Sequence, residues 1–161
     1  MQMSPAGRVL LTTLEGDAPL PYQDSAGLWS LGVGHLLTRS ELASGKIDLP
    51  TFGVCRYGSD AWPQAWIDDL LRQDLRTTEL GLRRHVRVLL SQSQYDALCC
   101  WTFNVGVDAL RTSTLLKRLN TWHHEEVPAQ MRRWVYAGGR VVEGVRARRD
   151  RESALWEGGA G

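Results

Sequence analysis

The sequence predicts a mainly helical α+β protein with a small antiparallel sheet lobe, a connecting helix and a helical lobe. Three observations carry that reading. Apolar residues recur at three- and four-residue spacing over much of the chain, the period of helices with one buried face. Between residues 16 and 37 that period vanishes, and Pro19, Pro21, Gly27, Gly32 and Gly34 punctuate short runs such as Leu28-Trp29-Ser30-Leu31. The 161 residues, 43% of them apolar, suffice for one domain or for two small lobes sharing a core.

Taken in order, Ser4-Pro5 reads as a helix cap followed by proline at the first helical position. The helix it opens runs to about Leu14, with Val9, Leu10, Thr13 and Leu14 on one apolar face. Residues 16–37 form a hairpin or three-stranded sheet, too small to stand without helices packed on it. Residues 45–63 are loop-rich, with Gly45, Pro50, Gly53, Gly58 and Pro63, and with Leu42 and Ile47 as anchors. A helix over about 63–82 places Trp66, Ile67, Leu70, Leu71, Leu75 and Leu82 mostly on one face. Residues 92–103 are strongly apolar and make the central helix of the larger lobe. Helices over 113–119, 125–135 and 145–156 follow, separated by Gly106, Asn120 and Gly138-Gly139. The domain plan is a sheet-containing lobe at about 15–62, the connecting helix at about 63–82, and a helical lobe at about 83–161 joined by the N-terminal helix. A cleft between lobes is the expected ligand site.

Charge and cysteine usage narrow the classes. The net charge is +1, but residues 132–151 hold seven arginines against Glu143 and Asp150, a local +5. One reading is a solvated amphipathic face. The other is attraction to a polyanion, an acidic cell envelope ahead of nucleic acid, because no aromatic residues interleave the arginines as single-strand binders require. Cys55, Cys99 and Cys100 are an odd count without a disulfide framework, which suits a reducing compartment. The four histidines show no metal-ligand spacing, so no metal and no cofactor is expected. The opening MQMSPAGRVLLTTLEG is too short and polar in its apolar run for a signal peptide or membrane anchor, so synthesis as a soluble cytoplasmic protein without stable membrane insertion is expected.

The chemistry concentrates in EGDAPLPYQDSAGLWSLGVGH, residues 15–35. Glu15 ends an apolar helix, Asp24 lies in a polar loop, and Ser30 offers a hydroxyl. Cleaving a glycosidic bond needs two carboxylates in different surroundings, one to protonate the leaving oxygen and one to work at the opposite face of the sugar. Glu15 takes the acid's part, Asp24 activates or stabilises, and Ser30 positions water. A carboxyl separation of roughly 6.5–9.5 Å leaves room for that water and means inversion. Taken singly, each residue has a bland structural explanation; their joint pattern with the glycines is what points to catalysis.

Glu15, Tyr22-Gln23-Asp24, Gly27, Ser30 and Gly32-Val33-Gly34-His35 resemble the signature of the phage-type lysozymes, the T-even phage endolysin family (glycoside hydrolase family 24). Leu36-Leu37-Thr38 resembles the T-even branch. The similarity resumes at Gln73-Asp74, Gln94-Tyr95-Asp96-Ala97-Leu98, Phe103-Asn104-Val105-Gly106 and Ser113-Thr114-Leu115-Leu116. It continues through Trp134-Val135-Tyr136-Ala137-Gly138-Gly139 and Arg148-Arg149, leaving only about 44–62 unmatched. The resemblance implies a lysozyme-like two-lobe fold and a muramidase that hydrolyses the β-1,4 link between N-acetylmuramic acid and N-acetylglucosamine in peptidoglycan. It assigns Glu15 as general acid and Asp24 as partner carboxylate. The family's third residue is usually threonine; Ser30 keeps the hydroxyl and loses the methyl that restrains its rotamer. By the same match, Leu36, Phe103, Asn104 and Ser113 line the sugar-binding groove, with Asn104 where relatives carry glutamine. Tyr136 and Gly138-Gly139 form a loop approached by the glycan or a simple turn. His35 and Asp74 form a structural ion pair joining the sheet lobe to the connecting helix.

The implied biology is a monomeric lysis enzyme acting on glycan strands, held in the host cytoplasm until a separate holin releases it to the periplasm. The alternatives are a secreted antibacterial or particle-borne lysozyme, and a non-catalytic wall-binding protein on the same scaffold.

Overall fold

The computed structural model describes residues 1–24, 27–137 and 139–158. The chain divides into two compact units, one of residues Thr12–Arg76 and one of Met1–Leu11 with Thr77–Gly161.

In the Thr12–Arg76 unit, three strands form an antiparallel sheet in the order β1 (Ala18–Gln23), β2 (Trp29–Gly32), β3 (His35–Leu36). Gln23 pairs with Trp29 and Tyr22 with Ser30; the register then shifts before Ala18 meets Gly32. Pro19 and Pro21 occupy that irregular stretch, where a missing N–H breaks the ladder. Ser30 pairs onward with Leu36 and Leu31 with His35. The next helix, α2 (Arg39–Ser44), has a complete capping box between Thr38 and Glu41 and stops at Gly45 in the left-handed conformation. Six residues are too few to display a helical period, so sequence pattern passes over it.

The stretch at 45–63, expected to be loop, contains a regular hairpin of β4 (Lys46–Leu49) and β5 (Gly53–Arg56). Ile47 and Leu49 alternate with exposed Asp48, and Cys55 is buried on the partner strand. The hairpin turn is tied to α3 (Gln64–His85), because Thr51 donates from its N–H and hydroxyl to the Asp69 carboxylate at 2.7 and 2.9 Å. Ile67, Leu70, Leu71 and Leu75 of α3 are buried with Leu31, Val33 and Leu37 of the sheet region.

In the other unit, α1 (Pro5–Glu15) starts at Ser4, whose hydroxyl accepts from the Gly7 N–H at 3.0 Å. The face expected at Val9, Leu10, Thr13 and Leu14 is not the buried one. Gly7 and Leu11 are buried, while Val9 is 68% exposed. Gly7 is needed there because a Cβ would lie 2.6 Å from Asp96 Cγ. Asp96 in turn accepts from the Ser4 N–H at 2.9 Å and from the Ser4 hydroxyl. The last residues of α1, from Thr12, belong to the unit that holds the sheet, as does α3 as far as Arg76.

The centre of this unit is α4 (Gln92–Val105), capped by Ser91 and Gln94 and buried from Tyr95 to Thr102. It packs on α8 (Glu143–Trp156). Between them come α5 (Val107–Thr112), α6 (Thr114–Asn120), a single 3-10 turn over His124–Glu126, and α7 (Val127–Met131). The helix expected over 125–135 thus breaks in two and ends early. Pro128 has no N–H to give a preceding turn and is tolerated only where a helix begins. Tyr136 and Ala137 then form β6, paired with β7 (Arg140–Val141). Gly138, expected in a loop near the glycan, lies outside the described residues.

Candidate active site

Glu15 is the final residue of α1 and is half-buried. Gly16 ends the helix there with φ 86 and an N–H donated to the Thr12 carbonyl at 2.8 Å. The Glu15 carboxylate lies against the β2–β3 turn. A Cβ on Gly34 would come within 3.3 Å of Glu15 Oε2, and Gly34 has φ 71. Bare backbone at residue 34 therefore serves two ends, a tight turn and room for the acid.

Asp24 follows β1 and closes the β1–β2 loop on itself. Its N–H donates to the Leu28 carbonyl, its carbonyl accepts from Gly27, and its Oδ1 accepts from the Leu28 N–H, each at 2.9 Å. The side chain is exposed. Ser30, 5% exposed, sits on the middle strand between Tyr22 and Leu36. The sheet thus carries Ser30 on its central strand, Asp24 on the loop that opens it, and the glycine turn against Glu15. All three belong to the Thr12–Arg76 unit.

His35 is held between two acids. Its Nδ1 is 3.0 Å from both Asp74 carboxylate oxygens and its Nε2 is 3.4 Å from Glu41 Oε2. Burial pulls the His35 pKa down, but the hydrogen bond and charge of Asp74, with those of Glu41, overcome it and leave the pKa raised. Burial likewise raises the Glu41 pKa, and hydrogen bonds from Thr38 together with His35 turn the net shift downward. Glu41 was not singled out by sequence; its signal is the capping box three residues after Thr38. Leu36, next to His35, is 52% exposed.

Phe103 is half-buried on α4. Asn104 is exposed, and its carbonyl oxygen accepts from Arg149 Nη2. Ser113, expected to line the groove, precedes α6. It is 4% exposed, and its hydroxyl caps α6, accepting from the Leu116 N–H at 3.0 Å and donating to the Leu110 carbonyl at 2.8 Å.

Five arginines of the basic run, Arg132, Arg133, Arg140, Arg146 and Arg151, are exposed as a solvated face requires, and two are not. Arg148 and Arg149 are buried and converge on Glu152, at 2.8 and 2.5 Å. Arg132 pairs with Asp150 at 3.1 Å. The three- and four-residue spacing of Glu152 from these arginines was the available signal. Burial pushes the Cys99 and Cys100 thiols well up, so neither is a nucleophile near neutral pH. Among the described residues no cluster of His, Cys, Asp or Glu has the arrangement of a metal site.

The phage lysozyme family model matches residues 12–152, a span that holds Glu15, Asp24, Ser30 and the His35–Asp74 pair. The chain belongs to the phage lysozyme family. As such it has full-length relatives. An endolysin of Acyrthosiphon pisum secondary endosymbiont phage 1 is 35% identical over 161 residues, spanning 98% of this chain and 99% of the relative. The solved structure of a P22 lysozyme variant has 33% identity and a TM-score of 0.79, over 98% of this chain and 99% of that one. The muramidase domain of SpmX from Asticaccaulis excentricus has 28% identity and a TM-score of 0.77, over 96% and 97%.

Proposed function

We propose that this phage lysozyme family member is an endolysin that hydrolyses the β-1,4 bond between N-acetylmuramic acid and N-acetylglucosamine, with Glu15 as general acid and Asp24 as its partner carboxylate. The observation that carries the assignment is the seating of the Glu15 carboxylate against the Gly34 turn of the sheet whose loop holds Asp24. In the reaction Glu15 gives its proton to the bridging oxygen as the bond to the anomeric carbon breaks. Water held by Ser30 attacks that carbon from the other face and loses a proton to Asp24, which inverts the configuration. Leu36, Phe103, Asn104 and Ser113 are the glycan contacts of this reading. The carbonyl of Asn104 is already oriented by Arg149, so Arg149 is a positioning residue for that contact.

Clearing of permeabilised Gram-negative cells tests the acid. Glu15→Gln should lower the rate by about 10²–10⁴-fold, the usual contribution of a general acid; equal clearing by variant and wild type removes Glu15 from the role. The anomeric configuration of the product, read by NMR, separates inversion from retention.

We infer further that the enzyme waits in the host cytoplasm as a monomer and reaches the periplasm through a separate pore-forming holin. Among the described residues no helix is long and apolar enough to cross a membrane, which supports the need for such a partner. Lysis of intact cells by this gene expressed alone would discard that route.

A further inference from the structure

Two loops in the unit that contains α4 are stitched together by side chains, and each holds a large apolar group out in solvent. The loop over 86–90 follows α3 and the loop over 121–124 follows α6. Asn120 joins them: its Oδ1 accepts from the Arg87 N–H at 2.8 Å and its Nδ2 donates to the His85 carbonyl at 2.9 Å. His124 makes a second join, its Nε2 donating to the Leu89 carbonyl at 3.3 Å. The His124 ring is also tilted against two indoles, with centroids 5.8 Å from Trp122 and 6.3 Å from Trp156. Trp156 is buried and donates from Nε1 to the His124 carbonyl at 3.1 Å, so the stack is rooted in the core. Its outer member, Trp122, is 66% exposed, and Leu89 is 85% exposed. Met1, 63% exposed, shares a shallow groove with Leu89 and Arg83.

Trp122 adds a second peculiarity. At φ 68 it is the only non-glycine residue in the left-handed region among the described residues. A bulky side chain is disfavoured there, and glycine or asparagine would sit without that strain. Exposure of the indole and strain of its backbone both work against folding, so the residue points to a use at the surface.

Shape and charge select the partner. Sugars are gripped in concave sites with converging polar groups, whereas Leu89 and Trp122 offer mainly exposed apolar surface. Arg83, Arg84, Arg87 and Lys117 are exposed on or beside the two loops. Of the acids beside these cations, Glu126 is engaged by Arg118 at 3.3 Å, Asp108 shares a pocket with Arg84 and pairs with Arg111 at 3.5 Å, and Glu125 is exposed. Exposed aliphatic and indole groups with cations on the same segments match a bilayer interface, where indoles lie at headgroup level and arginines meet anionic lipid. We propose that the Leu89–Trp122 ledge docks the protein peripherally on an anionic membrane surface. The inference does not depend on the catalytic role of Glu15.

The test is co-sedimentation of the full-length protein with vesicles of equimolar phosphatidylglycerol and phosphatidylethanolamine, compared with phosphatidylcholine alone. Trp122→Gly suits the local backbone and Leu89→Ser alters an exposed side chain, so both variants should fold, as thermal unfolding will verify. Wild type should bind the anionic vesicles, release with added salt, and bind phosphatidylcholine weakly. The double variant should bind at least about tenfold more weakly, as withdrawal of two apolar anchors requires, with clearing of permeabilised cells unchanged. Equal vesicle binding by wild type and the double variant, or no binding by wild type, overturns the proposal. Loss of binding to purified sacculi with vesicle binding intact also overturns it, in favour of a glycan contact.

Discussion

Asp74→Asn exchanges a carboxylate for an amide of the same shape that still accepts a hydrogen bond from His35 Nδ1. In the wild type that nitrogen is 3.0 Å from Asp74 Oδ1, and the two side chains are only 10% and 21% exposed. A hydrogen bond to a charged group contributes about 1.5–3 kcal/mol and a neutral one about 1 kcal/mol, so the variant should lose about 1–2 kcal/mol where His35 is charged. The pH dependence comes from the histidine. Burial opposes its charge, but Asp74 and Glu41 raise its pKa above 6.5. Its contribution to stability is therefore complete below the unfolded value of 6.5 and is lost as pH rises through the raised native value. Glu41 has the opposite sign. Burial raises its pKa, yet Thr38 and His35 hold the net value below 4.5, so its contribution is complete above 4.5 and is lost as pH falls through the lowered native value. Both contributions are present between 4.5 and 6.5. Urea unfolding of wild type and variant, at about pH 5.5 and again about two units above the histidine's ordinary value, measures the difference. The gap should be widest at the lower pH, equivalent to about 2–8 °C in Tm for a chain of this size, and should narrow at the higher pH. A gap of the same size at both values would refute coupling between His35 ionisation and Asp74.

Two further substitutions probe close approaches. Gly81→Ala would set a Cβ 2.7 Å from both methyl carbons of Val107 and should cost about 1–3 kcal/mol of stability. Adding Val107→Ala should recover part of that loss in denaturant unfolding; strictly additive losses would show that the two residues do not collide. Gly34→Ala should slow clearing about tenfold or more by displacing the Glu15 carboxylate, beyond the roughly 1–2 kcal/mol of backbone strain. Gly53→Ala is the matched control, with φ 67 and nothing within 4 Å of its Cβ; equal activity losses in the two variants would point to strain alone.

Local features were legible wherever the chain states them in consecutive residues. Ser4-Pro5 announces the start of α1, the apolar run beginning at Gln92 announces α4, and the glycines and prolines from Pro19 to Gly34 announce the small sheet. Shorter elements were not legible. The six residues of α2 show too little of a helical period, and the β4–β5 hairpin hides among turn-forming residues. The helix expected over 125–135 failed at Pro128, where a chain can begin a helix more easily than continue one. At the site, residue types directed attention to Glu15, Asp24 and Ser30. They did not disclose that Gly34 makes room for the Glu15 carboxylate, that Glu41 shares His35, or that Ser113 caps α6.

The sequence by itself determined the family, the mainly helical α+β class and the residue types available for acid–base chemistry, because periodicity and motif order are written within short windows of chain. Tertiary structure decided which charges face water and which are enclosed. Arg148 and Arg149, two more cations in a basic run, close on Glu152 in the interior, while Val9, Leu89 and Trp122, apolar by composition, lie in solvent. Burial is a property of what packs against a side chain. Asp96 accepts from Gln92 one turn before it and also from Ser4, 92 positions away along the chain, and no local pattern specifies the Ser4 contact.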